Sequence, residues 1–302
     1  MAGRKQAAID RLNRLVGPRS GLWLRPLRPG LPNVTVDDPR LISYAEMPAG
    51  VGVAFRARLD QGALHNFALG QDSVHPWVVA LRRAGTQPQA VIVRQALARY
   101  YDLVQPANAA EWLDVPAGQT SDLTSLPPAA GVFPWSLVSP EEALSRAQTR
   151  AARERRGYRL RSDAFVGSPS FGPMAPVQVE AEADKLCRLA TLLSRVDLDP
   201  LRIDYDLGAT VLVDGDRYRW FGNAGRHRIA VMCALGAQTV ELAVRAVVRR
   251  DEVDLWPLVS AGRLGRETAL QVFDRLMAGD PPGIALPWVT LLHSSLEERE
   301  GS

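Results

Sequence analysis

The stretch at residues 221–236 reads FGNAGRHRIAVMCALG, and it follows two alternating runs, VLVDGDRYRW, at residues 211–220. The Asp214-Gly215 pair between these runs predicts a β-hairpin, because glycine accepts the positive φ that a tight turn requires. A glycine-containing corner at residues 222–225 then leads into an apolar helix, which Gly236 is expected to end. The stretch therefore predicts strand, corner and helix in direct succession.

The first turn of this predicted helix has the features of an anion site. Its free N–H groups and the positive end of the helix dipole point at the corner. Arg226 and Arg228 can add charge-assisted hydrogen bonds, and His227 can bind phosphate or act as an acid or base near neutral pH. The alternative is a plain strand-to-helix junction with solvated arginines and a histidine packed on the hairpin. The residues leave both interpretations open.

The same stretch resembles the ParB/sulfiredoxin-like fold, in which a G-x-x-R box opens a helix after a strand and contacts nucleotide phosphate. The box here reads Gly225-Arg226-His227-Arg228, and the element order across residues 165–250 fits that fold. The resemblance implies a bound nucleotide, ATP or CTP, and it admits Mg²⁺ as a metal cofactor. It implies nucleotide contacts at Asn223, Ala224, Gly225, Arg226 and Arg228, with His227 assisting catalysis.

Two further segments supply candidate site residues. The loop GSPSFGP at residues 167–173 precedes a long helix, and in the related fold that segment lies near the nucleotide. Ser168, Ser170 and the Gly172 N–H are therefore candidate phosphate or ribose contacts, unless the loop is only a rigid turn. Glu182, near the start of the helix expected at residues 180–196, is a candidate general base or Mg²⁺ ligand. Its alternative role is that of a helix-dipole partner.

Most of the chain also resembles an uncharacterised group of bacterial proteins that carry this domain, often encoded among polysaccharide-biosynthesis genes. That resemblance implies a family but no established chemistry. The matching pieces are His75-Pro76-Trp77, Tyr100-Tyr101, residues 105–111, Pro134-Trp135, Phe171-Gly172-Pro173, residues 224–228 and residues 256–259.

Composition sets broad limits on class and compartment. The chain has 302 residues, of which 46% are hydrophobic and 23% charged, with a net charge of +3. No apolar run approaches the ~18 residues of a membrane helix, and no secretion signal opens the chain. Its two cysteines suggest neither a disulfide framework nor a metal motif, so a cytoplasmic protein is expected.

The fold class expected is α/β (α+β), a ParB/sulfiredoxin-like mixed domain preceded by a mixed α/β region. Four parts are predicted: an N-terminal region at 1–135, a linker with a charged helix at 136–164, the ParB/sulfiredoxin-like domain at 165–280 and a tail at 281–302. The linker prediction rests on the prolines of residues 115–140.

The expected function is nucleotide binding, and the expected activity is that of a phosphotransferase or NTPase acting on a small molecule or sugar precursor in a biosynthetic (polysaccharide) pathway. The alternatives are a ParB-like DNA-binding protein and a non-catalytic nucleotide-binding or interaction protein. Nucleic acid is disfavoured, because no helix-turn-helix signal follows the box and the net charge is modest. A sulfiredoxin-like reductase is disfavoured too, because Arg226 stands where that family has its catalytic cysteine.

Overall fold

The fold is taken from a computed structural model that describes residues 34–36, 53–116, 121–157, 167–195 and 207–300. The short run at residues 201–205, which is part of the element order expected from the resemblance, lies outside the described residues. The described strands form one seven-stranded mixed sheet, in the order β1-β2-β7-β5-β6-β3-β4. Their bounds are β1 Val34–Val36, β2 Val53–Arg58, β3 Gly62–Leu64, β4 Phe67–Ala68, β5 Gly208–Asp214, β6 Arg217–Ala224 and β7 Thr239–Arg249. The chain is therefore a mixed α/β protein, as the sequence predicts.

Helices surround this sheet. Their bounds are α1 Pro76–Ala84, α2 Ala90–Leu103, α3 Ala109–Leu113, α4 Ser121–Ser125, α5 Pro140–Gly157, α6 Pro176–Leu193, α7 Arg226–Ala234, α8 Pro257–Ser260, α9 Arg266–Ala278 and α10 Leu286–Glu300.

The alternating side chains of β5 divide the core into two clusters. Val211 and Val213 belong to the first cluster, with residues of α1, α2, α6 and α7. Leu212 belongs to the second cluster, with residues of α3, α8 and α9. Because successive side chains of a strand point to opposite faces, the two clusters cover opposite faces of the sheet.

The hairpin and corner form close to their predicted positions, with two corrections. Asp214 pairs with Arg217, so the turn residues are Gly215 and Asp216 rather than Asp214 and Gly215. Gly222 lies within β6, where a Cβ would come 2.5 Å from the Leu64 side chain, so it is not part of the corner. Gly225 is therefore the only residue between the end of β6 and the start of α7.

Helix α1 is not capped by Ser73, the hydroxyl residue that precedes it. The cap of α1 is His75, whose Nδ1 accepts the backbone N–H of Trp77 at 3.2 Å. The Ser73 hydroxyl instead donates to the Ala68 carbonyl at 2.7 Å. A ring nitrogen has thus replaced the hydroxyl as the capping acceptor, and this fixes the His75 ring against the start of α1.

Strands from the predicted N-terminal region and the predicted C-terminal domain pair directly. β2 is antiparallel to β7, with Phe55 opposite Leu242. β3 is parallel to β6, with Gly62 opposite Trp220. The boundary expected within residues 115–140 therefore does not separate two sheets. That proline-rich segment instead contributes Trp135, which packs edge-on against Trp256 at 5.3 Å.

The predicted tail at residues 281–302 contains a packed helix. Trp288 of α10 is fully buried, and its Nε1–H donates to the Val74 carbonyl at 2.8 Å. Its ring also meets Tyr100 edge-on at 5.5 Å. Gly279, with φ 88°, caps the preceding helix ahead of the two prolines, and the apolar residues after the prolines belong to the first core cluster. Within the described ranges, no helix combines the length and hydropathy needed to span a bilayer.

Candidate functional site

The site forms where β6 gives way to α7. Gly225 adopts φ 69° and ψ 20°, a left-handed conformation that glycine tolerates best. Its carbonyl accepts the Ile229 N–H at 3.2 Å, and it caps α7 without a side chain. The next two residues, Arg226 and His227, are the first of the helix. A single glycine thus turns the chain and places both side chains beside α6.

A buried hydrogen bond joins α6 to α7. The Glu182 carboxyl Oε2 lies 2.5 Å from His227 Nε2. The two side chains are only 14% and 20% exposed. The sequence predicts both residues as candidates because each is expected near the start of a helix. They are 45 positions apart, and the packing of the two helices brings them together.

Trp77 fixes the other side of the His227 ring. The two rings stack with centroids 4.1 Å apart and planes 17° from parallel. Trp77 is fully buried, at the start of α1 where the His75 cap holds it. His227 is therefore positioned by a carboxylate at one edge and an indole face, which favours one ring orientation.

Burial sets the protonation of the Glu182–His227 pair. Burial lowers the pKa of His227 below its ordinary value, and the hydrogen bond that His227 makes to the Glu182 carboxylate only partly offsets this effect. Burial alone would raise the pKa of Glu182, but His227, Lys185 and Arg226 together outweigh it and lower that pKa. Near neutral pH, Glu182 is thus ionised and His227 neutral, with the His227 Nε2–H donating to the carboxylate. This leaves the lone pair of His227 on Nδ1.

Arg226 acts electrostatically on both members of this pair and has no carboxylate partner among the described residues. Its guanidinium makes no hydrogen bond or ion pair with the residues that the structure describes, although it is half-buried. Burial lowers its pKa, and the neighbouring Arg150 lowers it further, while Glu182 acts in the opposite direction. Two arginines therefore face one region of the site. An anion bound here would offset both the cost of desolvating the Arg226 cation and its repulsion by the second cation.

The loop before α6 is held by its backbone. The Tyr100 hydroxyl donates to the Ser170 carbonyl at 2.6 Å, and the Tyr101 hydroxyl donates to the Pro169 carbonyl at 3.3 Å. The Ser168 hydroxyl accepts the Ser170 N–H at 3.2 Å. The loop is thereby fixed against α2.

The Gly172 N–H is not available to a nucleotide in this arrangement, because it donates to the Val104 carbonyl at 2.8 Å. A Cβ at this position would lie 1.8 Å from the Tyr101 carbonyl oxygen. The close approach to α2 thus explains the glycine. The rigid-turn interpretation accounts for Gly172, while the Ser168 and Ser170 hydroxyls remain candidate ligand contacts.

The remaining nucleotide-contact candidates lie around the corner. Asn223 is exposed, and its Nδ2 donates to the Thr210 hydroxyl at 3.2 Å. Ala224 ends β6 opposite Gly208. Arg228, on the third position of α7, is half-buried and already interacts within the chain. Of the candidates at the corner, His227 is hydrogen-bonded to Glu182 and Arg226 acts on the charge of Glu182.

Sequence reasoning missed two histidines that adjoin this site. His65 and His75 are both buried, with His75 Nε2 3.4 Å from His65 Nδ1. The His65 ring also meets the Trp77 indole edge-on at 4.8 Å. The available signal was His65-Asn66 between two short apolar runs, a two-residue hairpin loop. Both residues have positive φ, 47° and 71°.

Comparisons with known proteins do not extend the resemblances of the sequence. No family model, no curated protein and no solved structure matches the chain. The functional interpretation therefore rests on the geometry around Glu182, Arg226 and His227.

Proposed function

We propose that this chain binds a nucleoside triphosphate, ATP or CTP, and that His227 is the acid–base residue of a phosphotransferase or NTPase acting on a small molecule or sugar precursor. One observation carries the proposal: a buried Glu182–His227 hydrogen bond lies beside Arg226, an arginine with no carboxylate partner in the described part of the chain. A carboxylate-held histidine next to an unneutralised cation combines proton transfer with anion binding.

The anion-binding part of the proposal starts from the cost of burying charge. The Arg226 guanidinium loses water without gaining a carboxylate. A phosphate placed against it restores two charge-assisted hydrogen bonds, and Gly225 lets that phosphate approach the backbone without a Cβ in the way. Arg150, half-exposed and 4.0 Å from Glu154, adds positive potential. Arg228 and the first N–H groups of α7 complete the proposed contacts.

The proton-transfer part follows from the tautomer of His227. Because its Nε2–H is held by Glu182, the Nδ1 lone pair can take the proton of an attacking hydroxyl or water. The oxygen of that nucleophile forms a bond to the terminal phosphorus. The bond from that phosphorus to its bridging oxygen breaks, and the nucleoside diphosphate leaves with the electron pair. Arg226 stabilises the charge on the transferred group.

Glu182 itself does not fit the role of a Mg²⁺ ligand. One of its carboxyl oxygens is engaged by His227, and the other lies 3.9 Å from the Lys185 ammonium. Arg226 adds a second cation beside this carboxylate, after Lys185. A carboxylate surrounded by protein cations offers little to a further cation. The structure therefore favours Glu182 as the residue that orients His227.

The test is a thermal-shift panel of ATP, CTP, GTP, UTP and nucleotide sugars, each with and without Mg²⁺. A ligand that binds only the folded protein raises the unfolding midpoint, by mass action. At least one triphosphate is expected to do so. A panel in which no nucleotide moves the midpoint rejects the nucleotide proposal.

Turnover is tested separately with the nucleotide that the panel selects. His227→Gln should lower phosphate release about 10²–10⁴-fold, the usual contribution of a general base, while leaving the nucleotide-induced midpoint shift in place. His293→Gln is the matched control, because His293 is exposed on α10. If the wild type binds the nucleotide but releases no phosphate, the catalytic role of His227 is rejected and only the nucleotide-binding part of the proposal stands.

A further inference from the structure

The buried histidine pair next to the proposed site has a fixed pattern of hydrogen atoms. The backbone N–H of Trp77 donates to His75 Nδ1 at 3.2 Å, so Nδ1 holds a lone pair. Burial lowers the pKa of His75 to about 3, and the ring is therefore neutral near pH 7. A neutral histidine with a lone pair on Nδ1 has its hydrogen on Nε2.

This hydrogen determines the tautomer of the neighbouring ring. His75 Nε2–H points at His65 Nδ1, 3.4 Å away, which must then be the acceptor. His65 is neutral too, because burial lowers its pKa well below the ordinary value. The hydrogen of His65 therefore lies on its Nε2.

The resulting His65 Nε2–H is a buried donor with no acceptor. The side chain is only 4% exposed, and no group in the described part of the chain accepts from Nε2. An unsatisfied buried donor is costly, and native structures usually supply it with a partner. His65 also has a left-handed backbone, with φ 47°, in the two-residue turn between β3 and β4. Such backbone strain is often found at ligand sites.

The charged groups around His65 are those of the proposed site. Arg226 has the strongest charge effect on this ring, and Arg150 acts in the same direction. The His65 and His227 rings also contact the same indole, that of Trp77. His65 and His227 therefore belong to one ring cluster on Trp77, in the field of two guanidinium groups. Such surroundings favour a group that only accepts hydrogen bonds.

We infer that His65 donates its Nε2–H to an oxyanion of the ligand held by Arg226, and that His75 fixes His65 in this donor form. The inference rests on the proposed function and deepens it. It assigns His65 as a ligand-binding residue and His75 as a positioning residue. It also names the ligand group as a fully deprotonated phosphate oxygen, since a protonated oxygen would place two donors face to face.

The experiment uses selective ¹⁵N labelling of histidine in the full chain, which has only four histidines. Long-range ¹H–¹⁵N spectra distinguish protonated from unprotonated ring nitrogens. Without ligand, His65 and His75 should each be protonated at Nε2 at neutral pH. Inorganic pyrophosphate, the phosphate group common to nucleoside triphosphates, is then titrated in. The His65 Nε2–H and His227 signals should shift together, and His293 should not move.

Two variants separate binding from folding. His65→Asn keeps a residue that tolerates left-handed backbone and should weaken pyrophosphate binding about 10- to 100-fold, the range for a hydrogen bond to a charged group. His75→Asn keeps an N-cap residue for α1 but removes the donor to His65. It should leave His65 as a mixture of tautomers and weaken binding less than His65→Asn does. The thermal midpoint of each variant checks that it is folded.

The outcomes distinguish this inference from the proposed function. If pyrophosphate shifts His227 but leaves His65 Nε2 unchanged, the inference fails and the proposed function stands. If His65 carries its hydrogen on Nδ1, the tautomer argument fails. If pyrophosphate moves neither histidine, both the inference and the phosphate site are rejected.

Discussion

The two faces of the sheet bury different kinds of side chain. The second cluster is apolar, and its centre is a set of aromatic rings in which Trp256 stacks on Phe273 at 5.4 Å. The first cluster is equally buried but borders polar groups: the Glu182–His227 pair and the His65–His75 pair. An apolar core gains from burial alone, whereas a buried polar group is stabilising only with its partners in place. One face of the sheet thus carries an apolar core, and the other carries the proposed ligand site.

The largest expected effect is a loss of stability on the apolar face. Phe273 is fully buried between Trp135 and Trp256. Phe273→Ala should lower the free energy of unfolding by about 3–5 kcal/mol, since it removes a ring and leaves a cavity. Urea unfolding measures this change. Leu255→Ala is the control, because Leu255 is 75% exposed and should change stability little. An equal effect of both variants would refute the core assignment.

The next effect is a pH dependence of stability that arises from the buried histidines beside the first cluster. The pKa of His75 falls from 6.5 in the unfolded chain to about 3 when folded. As pH drops between these values, the unfolded chain gains a proton that the folded chain does not take up. Stability is therefore full above about pH 6.5 and declines by up to about 1.4 kcal/mol per pH unit for this histidine. His65 and His227 act in the same direction.

The measurement is urea unfolding at several pH values between 7 and 4, for the wild type and His75→Asn. The variant keeps a capping residue but has no ring to protonate. Its stability should decline less steeply with acid than that of the wild type. Parallel curves for the two proteins would show that His75 is not held neutral by the fold.

A smaller effect tests the C-terminal helix. Trp288→Phe retains an aromatic ring but removes the Nε1–H that donates to the Val74 carbonyl. The loss should be about 1–2 kcal/mol, since a buried carbonyl is left without its donor. Leu286→Ala, at a position 54% exposed, should be nearly neutral. Thermal unfolding that is unchanged by Trp288→Phe would contradict the packing of α10.

The smallest effect concerns a surface ion pair. Arg250 donates from two nitrogens to the Asp274 carboxylate, each at 2.8 Å. Both groups are well exposed, so water screens the attraction. Arg250→Gln should change stability by about 1 kcal/mol or less. A loss much larger than this in urea unfolding would mean that exposed pairs also determine the fold.

Local signals in the sequence predict much of this structure. Gly225 and Gly236 bound α7 as expected, because both adopt the left-handed backbone that glycine permits. Asn108, a residue type preferred at helix N-caps, caps α3 by accepting the Glu111 N–H at 2.9 Å. These features depend on residues that are close together in the sequence, and local sequence patterns are therefore enough to predict them.

The parts that the sequence does not predict depend on distant contacts. Gly62 pairs with Trp220 across a parallel ladder, which merges the two predicted regions into one sheet. Trp288 donates to the Val74 carbonyl, 214 positions away in the sequence. Because this contact is so distant, the local sequence does not distinguish a packed helix from a charged tail. The site follows the same rule: Glu182 and His227 are each recognisable, but their hydrogen bond arises from helix packing.

The central claim is that Arg226 holds the phosphate of a nucleotide beside His227. Calorimetry with Arg226→Gln tests it most directly, using the nucleotide selected by thermal shift and Arg250→Gln as the matched arginine control. Arg226→Gln should bind at least about tenfold more weakly, the loss of one charge-assisted hydrogen bond, with an unfolding midpoint no lower than that of the wild type. Wild-type affinity in Arg226→Gln, or equal weakening in Arg250→Gln, would contradict the claim.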